Sequence, residues 1–322
     1  MISSVASRPV LIVGAGISGL ACAHALAAAG VPARVVERGR VVGGRMASRR
    51  LEARPVDLGA AFFTADLAAP FGAVVEDWLD RGLARPWTDT FSVSEPGNPL
   101  VTKPGPLRYA APDGLRSLVT DLMTGLELEL EQPVASVNDI SSDYSAVVLA
   151  MPDPQARRLL PVDSSVRARL ADESAWAPTI AVAFGWPERQ WPVDLHGVFV
   201  NGSPVLSFLA DDGDRRGDGA PVLVAHSSAE SARKYLQDPD GAIAPITDAV
   251  LAVLDVATPP SWSYAHRWTF ARPLAQHPEP FLLMDDTGLT VGVCGDAWGA
   301  SSSVGTAWTS GDALGRALAA QL

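Results

Sequence analysis

The stretch VLIVGAGISGLACAHALAAAGVPA, Val10 to Ala33, runs for 24 residues without a formal charge. As one helix it would be long enough to cross a bilayer, so it reads either as a membrane span or as a soluble element buried on every side. Its internal order decides. Pro9 to Val13 is a short, largely β-branched run that stops at Gly14-Ala15-Gly16-Ile17-Ser18-Gly19. Leu20 to Ala29 are helix formers, Gly30 is a natural cap residue, and Pro32 lies just beyond. Ala33-Arg34-Val35-Val36-Glu37 then reads as a second strand closed by an acid. Three glycines in six residues would weaken a spanning helix. Strand, G-x-G-x-x-G, helix, strand and acid is instead the order of a dinucleotide-binding unit, with no membrane role.

Each residue type in that unit has a mechanical reason. Gly14 allows the tight turn, Gly16 lets backbone approach a pyrophosphate, and Gly19 lets the helix close on the sheet. Ala15, Ile17 and Ser18 place their amides at the helix N-terminus, which offers N–H groups and partial positive charge to phosphates. Glu37, 18 residues past Gly19, is placed to accept ribose hydroxyls and to repel a 2′-phosphate.

The residues after Glu37 select the dinucleotide. Arg38-Gly39-Arg40-Val41-Val42-Gly43-Gly44-Arg45-Met46 is a second glycine-rich turn that a plain NAD site does not need. FAD does need it, because the chain must approach the pyrophosphate again on its way to the flavin. Paired Gly43 and Gly44 permit that approach, Arg45 adds fixed charge, and Arg38 and Met46 flank the turn. Small residues in Val56-Asp57-Leu58-Gly59-Ala60-Ala61-Phe62-Phe63-Thr64 suit a segment along the isoalloxazine, which makes Gly59, Ala60, Ala61 and Phe62 candidate contacts. Near the C-terminus, Leu289 to Cys294 reads as a buried strand, followed by Gly295-Asp296 and a helix from about Thr306. Asp296 is placed for a ribityl hydroxyl, and the amides of Gly305, Thr306 and Ala307 for the flavin N1–C2=O edge. Cys294 lies inside the strand and reads as core, so the FAD is expected to be noncovalent.

Those segments together resemble the FAD-containing amine oxidoreductase superfamily. Within it, GGRMASRR (43–50), DLGAAFFTA (57–65) and AHRWTFARP (265–273) are similar to the renalase-like branch, especially its compact bacterial members. The resemblance implies an α/β protein with a Rossmann-type FAD-binding domain, and short alternating segments from Ala177 to Ser207 and from Pro221 to His226 suggest a second, substrate domain built on an antiparallel sheet. It implies a backbone contact from Val134 to the adenine. It also implies an oxidase of isomeric dihydronicotinamides, the 2- or 6-dihydro forms of NAD(P), passing electrons through flavin to O₂ with release of H₂O₂. Such rings become aromatic as hydride leaves and need little help from a base, and no obvious base stands out. The alternatives are an amine oxidase, a secondary-metabolite desaturase, or a binding scaffold with or without flavin. Polyamine-type oxidases usually carry a lysine near flavin N5, and only Lys103 and Lys234 are present, neither in a matching segment. Substrate contact is assigned to Phe62, Thr64, His266, Arg267 and Trp268, with Arg267 as a phosphate clamp and Trp268 as a stacking face. A paired Arg267 and a core Trp268 remain equally open.

Composition bounds the remaining readings. The 322 residues carry a formal net charge of −11 and a sequence pI near 4.9, which argues against nucleic acid as a partner. Cys22 and Cys294 form no disulfide framework or zinc spacing, consistent with a reducing, cytoplasmic compartment. The nine residues before Val10 contain one basic residue, Arg8, a poor match to a secretory leader. The five histidines are scattered and no metal is expected. Asp211-Asp212-Gly213-Asp214-Arg215-Arg216-Gly217-Asp218-Gly219 fails position by position as a calcium loop and reads as a hairpin loop. The FAD-binding domain is expected to be discontinuous, over residues 1–70, 105–162 and 285–322, with the substrate domain over 71–104 and 163–284. Helical faces are expected across 71–79 and 115–123 and near 241–256, and a half-exposed strand over 126–131. A small-molecule substrate and a monomer are the default expectations.

Overall fold

A computed structural model of the chain describes residues 8–140, 143–286 and 288–322. Met1 to Ser7, which bore on the leader reading, lie outside them. The chain divides into two compact units, Met1–Gly44 with Val119–Trp176 and Arg272–Leu322, and Arg45–Leu118 with Ala177–Ala271.

The first unit is a doubly wound α/β layer. Its six-stranded sheet runs Leu282–Asp286, Leu289–Val293, Ala146–Leu149, Val10–Val13, Ala33–Val36, Leu128–Glu129. Every neighbour pair is parallel except the first, an antiparallel edge hairpin. Val10–Val13 and Ala146–Leu149 are buried at every position, as parallel strands covered on both faces must be. The uncharged opening stretch is thus resolved into the Val10–Val13 strand, the Ile17–Ala28 helix and the start of the Ala33–Val36 strand. No helix among the described residues is long and apolar enough to cross a membrane. The Ile17–Ala28 helix packs on the C-terminal helix, Val304–Ala319, through small residues. A Cβ on Gly311 would lie 1.9 Å from the Ser18 carbonyl oxygen, and one on Gly315 2.6 Å from that of Cys22.

The expected half-exposed strand over 126–131 shrinks to Leu128–Glu129, at the sheet edge beside Val35 and Val36. Glu131 adopts a positive φ of 56°, which ends the extended run.

The second unit is built on a seven-stranded sheet. Its order is Trp262–Pro273, Trp176–Gly185, Val222–Ser227, Leu206–Asp211, Gly197–Val200, Arg85–Ser94, Val101–Ala110. It is not antiparallel throughout, because Gly197–Val200 runs parallel to Arg85–Ser94. Those two strands lie about a hundred residues apart in the chain, so no hairpin constrains their direction. One face carries Ile180, Val182, Phe184, Leu209, Leu223 and Ala225, packed with Ile246 and Val250 of the Ile243–Leu254 helix. The other carries Ala181, Ala183, Val222 and Val224 against Val56 and Leu58.

The division differs from the sequence expectation at 45–70 and 105–118, which join the second unit, and at 163–176 and 272–284, which join the first. Asp57 accounts for the first two. Its Oδ1 accepts the amide of Leu115 at 3.0 Å and the Ser48 hydroxyl, capping the Leu115–Leu122 helix, while its Oδ2 meets Arg216 Nη2 at 3.1 Å.

Candidate cofactor and substrate sites

In the first unit the three glycines of the opening motif separate by function. Gly14 has a φ of +113°, and a Cβ there would stand 2.5 Å from the Ala150 carbonyl oxygen. A Cβ on Gly19 would stand 2.0 Å from the carbonyl oxygen of Gly14. At Gly16 a Cβ would meet nothing within 4 Å. Two glycines are therefore demanded by the fold, whereas the third faces open space at the N-terminus of the Ile17–Ala28 helix. Gly16 is the N-cap of that helix and offers no side-chain cap, so the first-turn amides of Ile17, Ser18 and Gly19 could hold an anion. The second glycine turn comes to the same place. The Gly43 amide donates to the Ala15 carbonyl at 3.0 Å, and a Cβ on Gly44 would lie 3.6 Å from Gly16 Cα. Glu37 closes the far side: its Oε2 accepts the Ala15 amide at 3.0 Å and its Oε1 the Gly39 amide at 2.8 Å.

The remaining first-unit candidates are less uniform. Arg38 is exposed, and Val134 is half-buried in the coil after the edge strand. Asp296 is buried and its Oδ2 accepts the Ser302 hydroxyl at 2.5 Å. Ser303 caps the C-terminal helix, accepting the Thr306 amide through Oγ at 3.0 Å and the Ala307 amide through its carbonyl at 3.0 Å. Of the three amides assigned to the flavin edge, that leaves Gly305 without an acceptor among the described residues. Cys294 is fully buried, and burial pushes its thiol up to about 12. With no thiolate at neutral pH, it has no nucleophile to offer a flavin.

Sequence reading missed a cluster at the C-terminal end of this sheet. His277 Nε2 and Asp153 Oδ2 are 2.6 Å apart, and the His277 ring stacks on Trp298 with centroids 3.8 Å apart and planes at 12°. Asp153 and His277 are 124 residues apart and no spacing motif links them.

The second unit holds the other candidates. A Cβ on Gly59 would stand 1.9 Å from the Arg45 carbonyl oxygen, and the Ala60 amide donates to that same oxygen at 2.9 Å. The small residues at 59 and 60 therefore admit Arg45 backbone. Arg45 Nη1 donates to the Ala271 carbonyl at 3.2 Å, and Met46 is buried. Trp268 Nε1 donates to the Leu58 carbonyl at 2.7 Å, and the His266 ring stands edge-on to Trp268 at 4.6 Å. Half-buried Phe62 sits among Phe91, Phe208 and Trp87, with Thr64 half-buried two residues on. Strand alternation separates Arg267 from its neighbours: it is exposed, and Nη1 donates to the Leu236 carbonyl at 2.8 Å. His266 and Trp268 thus share a face that Arg267 does not.

The acidic run at 211–219 forms a hairpin connection with a helical turn, Asp212–Arg216, inside it. That turn is buried. Fully enclosed Arg215 donates to the carbonyls of Ala61 at 2.9 Å and Asp57 at 3.0 Å, and also to the Asp212 carboxylate. Burial alone would raise the Asp212 carboxyl, but the guanidiniums of Arg215, Arg216 and Arg54 outweigh it and hold it down at about 2. The segment 57–61 is therefore pinned by a residue that the sequence placed in a loop. Alternating acids and arginines (D-D-G-D-R-R) at i, i+3 and i, i+4 were the available signal.

Residues 12–77 match the family model of the NAD(P)-binding Rossmann-like domain. Polyamine oxidase 1 of Oryza sativa subsp. japonica is 42% identical over 77 residues, 23% of this chain and 15% of that protein. Hydroxyneurosporene desaturase of Rubrivivax gelatinosus is 39% identical over 75 residues, 22% of this chain and 14% of that protein. The matched segments thus span about one seventh of these curated relatives. Similarity of fold extends much further. Cyclohexylamine oxidase from Brevibacterium oxydans IH-35A superposes with a TM-score of 0.74 at 15% identity, covering 98% of this chain and 99% of its own. Wild-type putrescine oxidase bound to putrescine gives a TM-score of 0.67 at 14% identity, with 98% of each chain covered.

Proposed function

We propose that the chain is an FAD-dependent oxidoreductase that oxidises isomeric dihydronicotinamides, the 2- or 6-dihydro forms of NAD(P). The cofactor half rests on the fit of the first unit. Open space at Gly16, uncapped amides at Ile17 and Ser18, and the Glu37 carboxylate suit the pyrophosphate and ribose of a dinucleotide. Asp296 suits a ribityl hydroxyl, and the Gly305 amide the edge of the ring where negative charge gathers on reduction. When bound, FAD supplies the two-electron acceptor. The substrate ring loses hydride and becomes aromatic NAD(P)⁺. O₂ takes the two electrons with the hydride's proton and one from solvent, and leaves as H₂O₂.

The observation that carries the substrate class is the electrostatics of His266. Burial, and then the charges of Arg49, Arg116 and Arg267, push its pKa down, keeping the imidazole neutral in a positive field. Such a field favours a phosphate-bearing substrate and disfavours the cation of an amine. Trp268, held through its indole N–H, offers a fixed aromatic face.

The test is anaerobic stopped-flow at the flavin's visible band, mixing the purified protein with NADH, its 2- and 6-dihydro isomers, and a panel of amines. Fast bleaching by the isomers alone is the expected result. Bleaching by amines and not by the isomers overturns the substrate assignment and leaves an amine oxidase. A colourless protein that cannot be reconstituted with flavin overturns the enzyme reading and leaves the scaffold.

A further inference from the structure

Arginines buried in the second unit are matched by acids. Arg215 and Arg216 each meet Asp212 within 3.0 Å, and half-buried Arg54 reaches the same carboxylate. Arg108 is the exception. It lies on the Val101–Ala110 edge strand and is 6% exposed. No carboxylate among the described residues lies within ion-pair distance of it. Among the described residues its one hydrogen bond is a long one, from Nη1 to the Pro106 carbonyl at 3.3 Å, while Nε is sealed from solvent with no acceptor. Burial lowers its pKa against the opposing pull of the Asp89 charge. Asp89 itself is exposed and bonded to the Thr90 hydroxyl at 2.7 Å.

The surroundings are flat and aromatic. The guanidinium carbon lies 3.9 Å from the Phe91 ring centroid and 5.5 Å from that of Phe62. Phe208 completes the cluster, and Phe199, 40% exposed, opens it to solvent. Trp87 adds a ring 5.2 Å from Phe91, its indole N–H satisfied by Asp214 at 2.6 Å. Gly105 makes room for the fork, since a Cβ there would stand 3.0 Å from Nη2. Ring contacts offset part of the cost of burying a cation, but they leave the Nε–Nη2 edge without an acceptor. Nη2, unbonded and not sealed, is the nitrogen that meets an arriving oxyanion, and a second parallel bond from Nε requires the rings over it to shift aside.

We propose that Arg108 is an oxyanion receptor that takes the carboxylate or phosphate of a small molecule whose flat apolar part lies on Phe62 and Phe199. The inference deepens the oxidoreductase reading and rests on it for the word substrate: the molecule oxidised carries a negative group, and Arg108 holds it. Amine cations are excluded by the same charge.

Isothermal titration calorimetry on the flavin-loaded protein tests this with benzoate, phenyl phosphate and benzylamine. We expect at least one anion to bind, the responding anion identifying carboxylate or phosphate as the group taken, and the amine not to bind. Arg108→Gln should weaken anion binding about ten- to a hundredfold, the loss of a charge-assisted pair. Arg108→Lys, which keeps charge but not the fork, should recover part of it. Arg50→Gln, at an exposed position, should change nothing. If Arg108→Gln fails to fold, Arg108→Lys carries the test through a weakened affinity for both anions. Anion affinity unchanged in either variant, no anion binding by the wild type, or equal binding of benzylamine overturns the proposal. Anion binding lost in Arg108→Gln, in a protein that oxidises no dihydronicotinamide, refutes the proposed reaction and leaves the receptor standing. Turnover of dihydronicotinamides without anion binding does the reverse.

Discussion

Glu37 and Ala15, 22 residues apart in sequence, are joined by a 3.0 Å hydrogen bond from the Ala15 amide to the Glu37 carboxylate. The acid at the end of the second strand thus reaches back to the first glycine turn and holds both walls of the cradle. Glu37→Ala would leave the amides of Ala15 and Gly39 without their acceptor. We expect a loss of about 1–3 kcal/mol in stability and weakened flavin retention. Urea unfolding and the flavin-to-protein absorbance ratio after gel filtration check both.

The glycine motif should split under alanine substitution. Gly16→Ala meets open space, so its melting temperature should stay near wild type while flavin content drops. Gly19→Ala and Gly311→Ala drive a methyl to 2.0 Å and 1.9 Å from backbone oxygens, and each should cost at least about 1–3 kcal/mol. Thermal melts with and without added FAD distinguish the two classes, because only the first is a ligand-site lesion. A Gly16→Ala protein that melts early with full flavin would invert the assignment.

Asp212 gives the second unit an acid-sensitive lock. Its carboxyl is held at about 2, below the ordinary 3.8, so the folded state binds fewer protons than the unfolded state in that window. The stabilisation is complete above 3.8 and is lost as pH falls towards 2, amounting to about 2 kcal/mol in all. Asp212→Asn removes the slope and strands buried guanidiniums, at a cost of about 3–5 kcal/mol at neutral pH. Denaturant midpoints measured across pH 2 to 7 read both effects.

His226 acts at milder pH with the same sign. Its Nε2 is sealed without a partner, and burial, then the charge of Arg215, push its pKa down to about 4 from 6.5. Unfolded chains bind the extra proton, so stability should decline as pH falls from 6.5 to 4. His226→Phe should flatten that limb, leaving the Asp212 limb below it. Equal slopes in the two proteins between pH 6.5 and 4 would refute the assignment.

Trp268→Phe keeps the ring but leaves the Leu58 carbonyl without its donor, for a loss of about 1 kcal/mol. If Trp268 also stacks on the substrate, KM for the dihydronicotinamide should rise with kcat little changed. An unchanged KM confines the residue to packing.

Local chemistry carried the first unit. Strand, glycine turn, helix, strand and acid are consecutive, and each imposes its conformation on its neighbours within a few residues. Val10–Val13, Ile17–Ala28 and Glu37 were therefore legible from order alone, and the second glycine turn pointed to a larger dinucleotide. Tertiary structure decided what depends on distant residues meeting. It engaged the Thr306 and Ala307 amides with Ser303, turned Arg267 away from His266 and Trp268, and set His277 against Asp153. It also converted an apparent surface loop into the buried Arg215 that pins residues 57–61, and left Arg108 enclosed by rings without an acid. Spacing dictates none of these, because the energy of a buried charge is set by the partners that the fold brings to it.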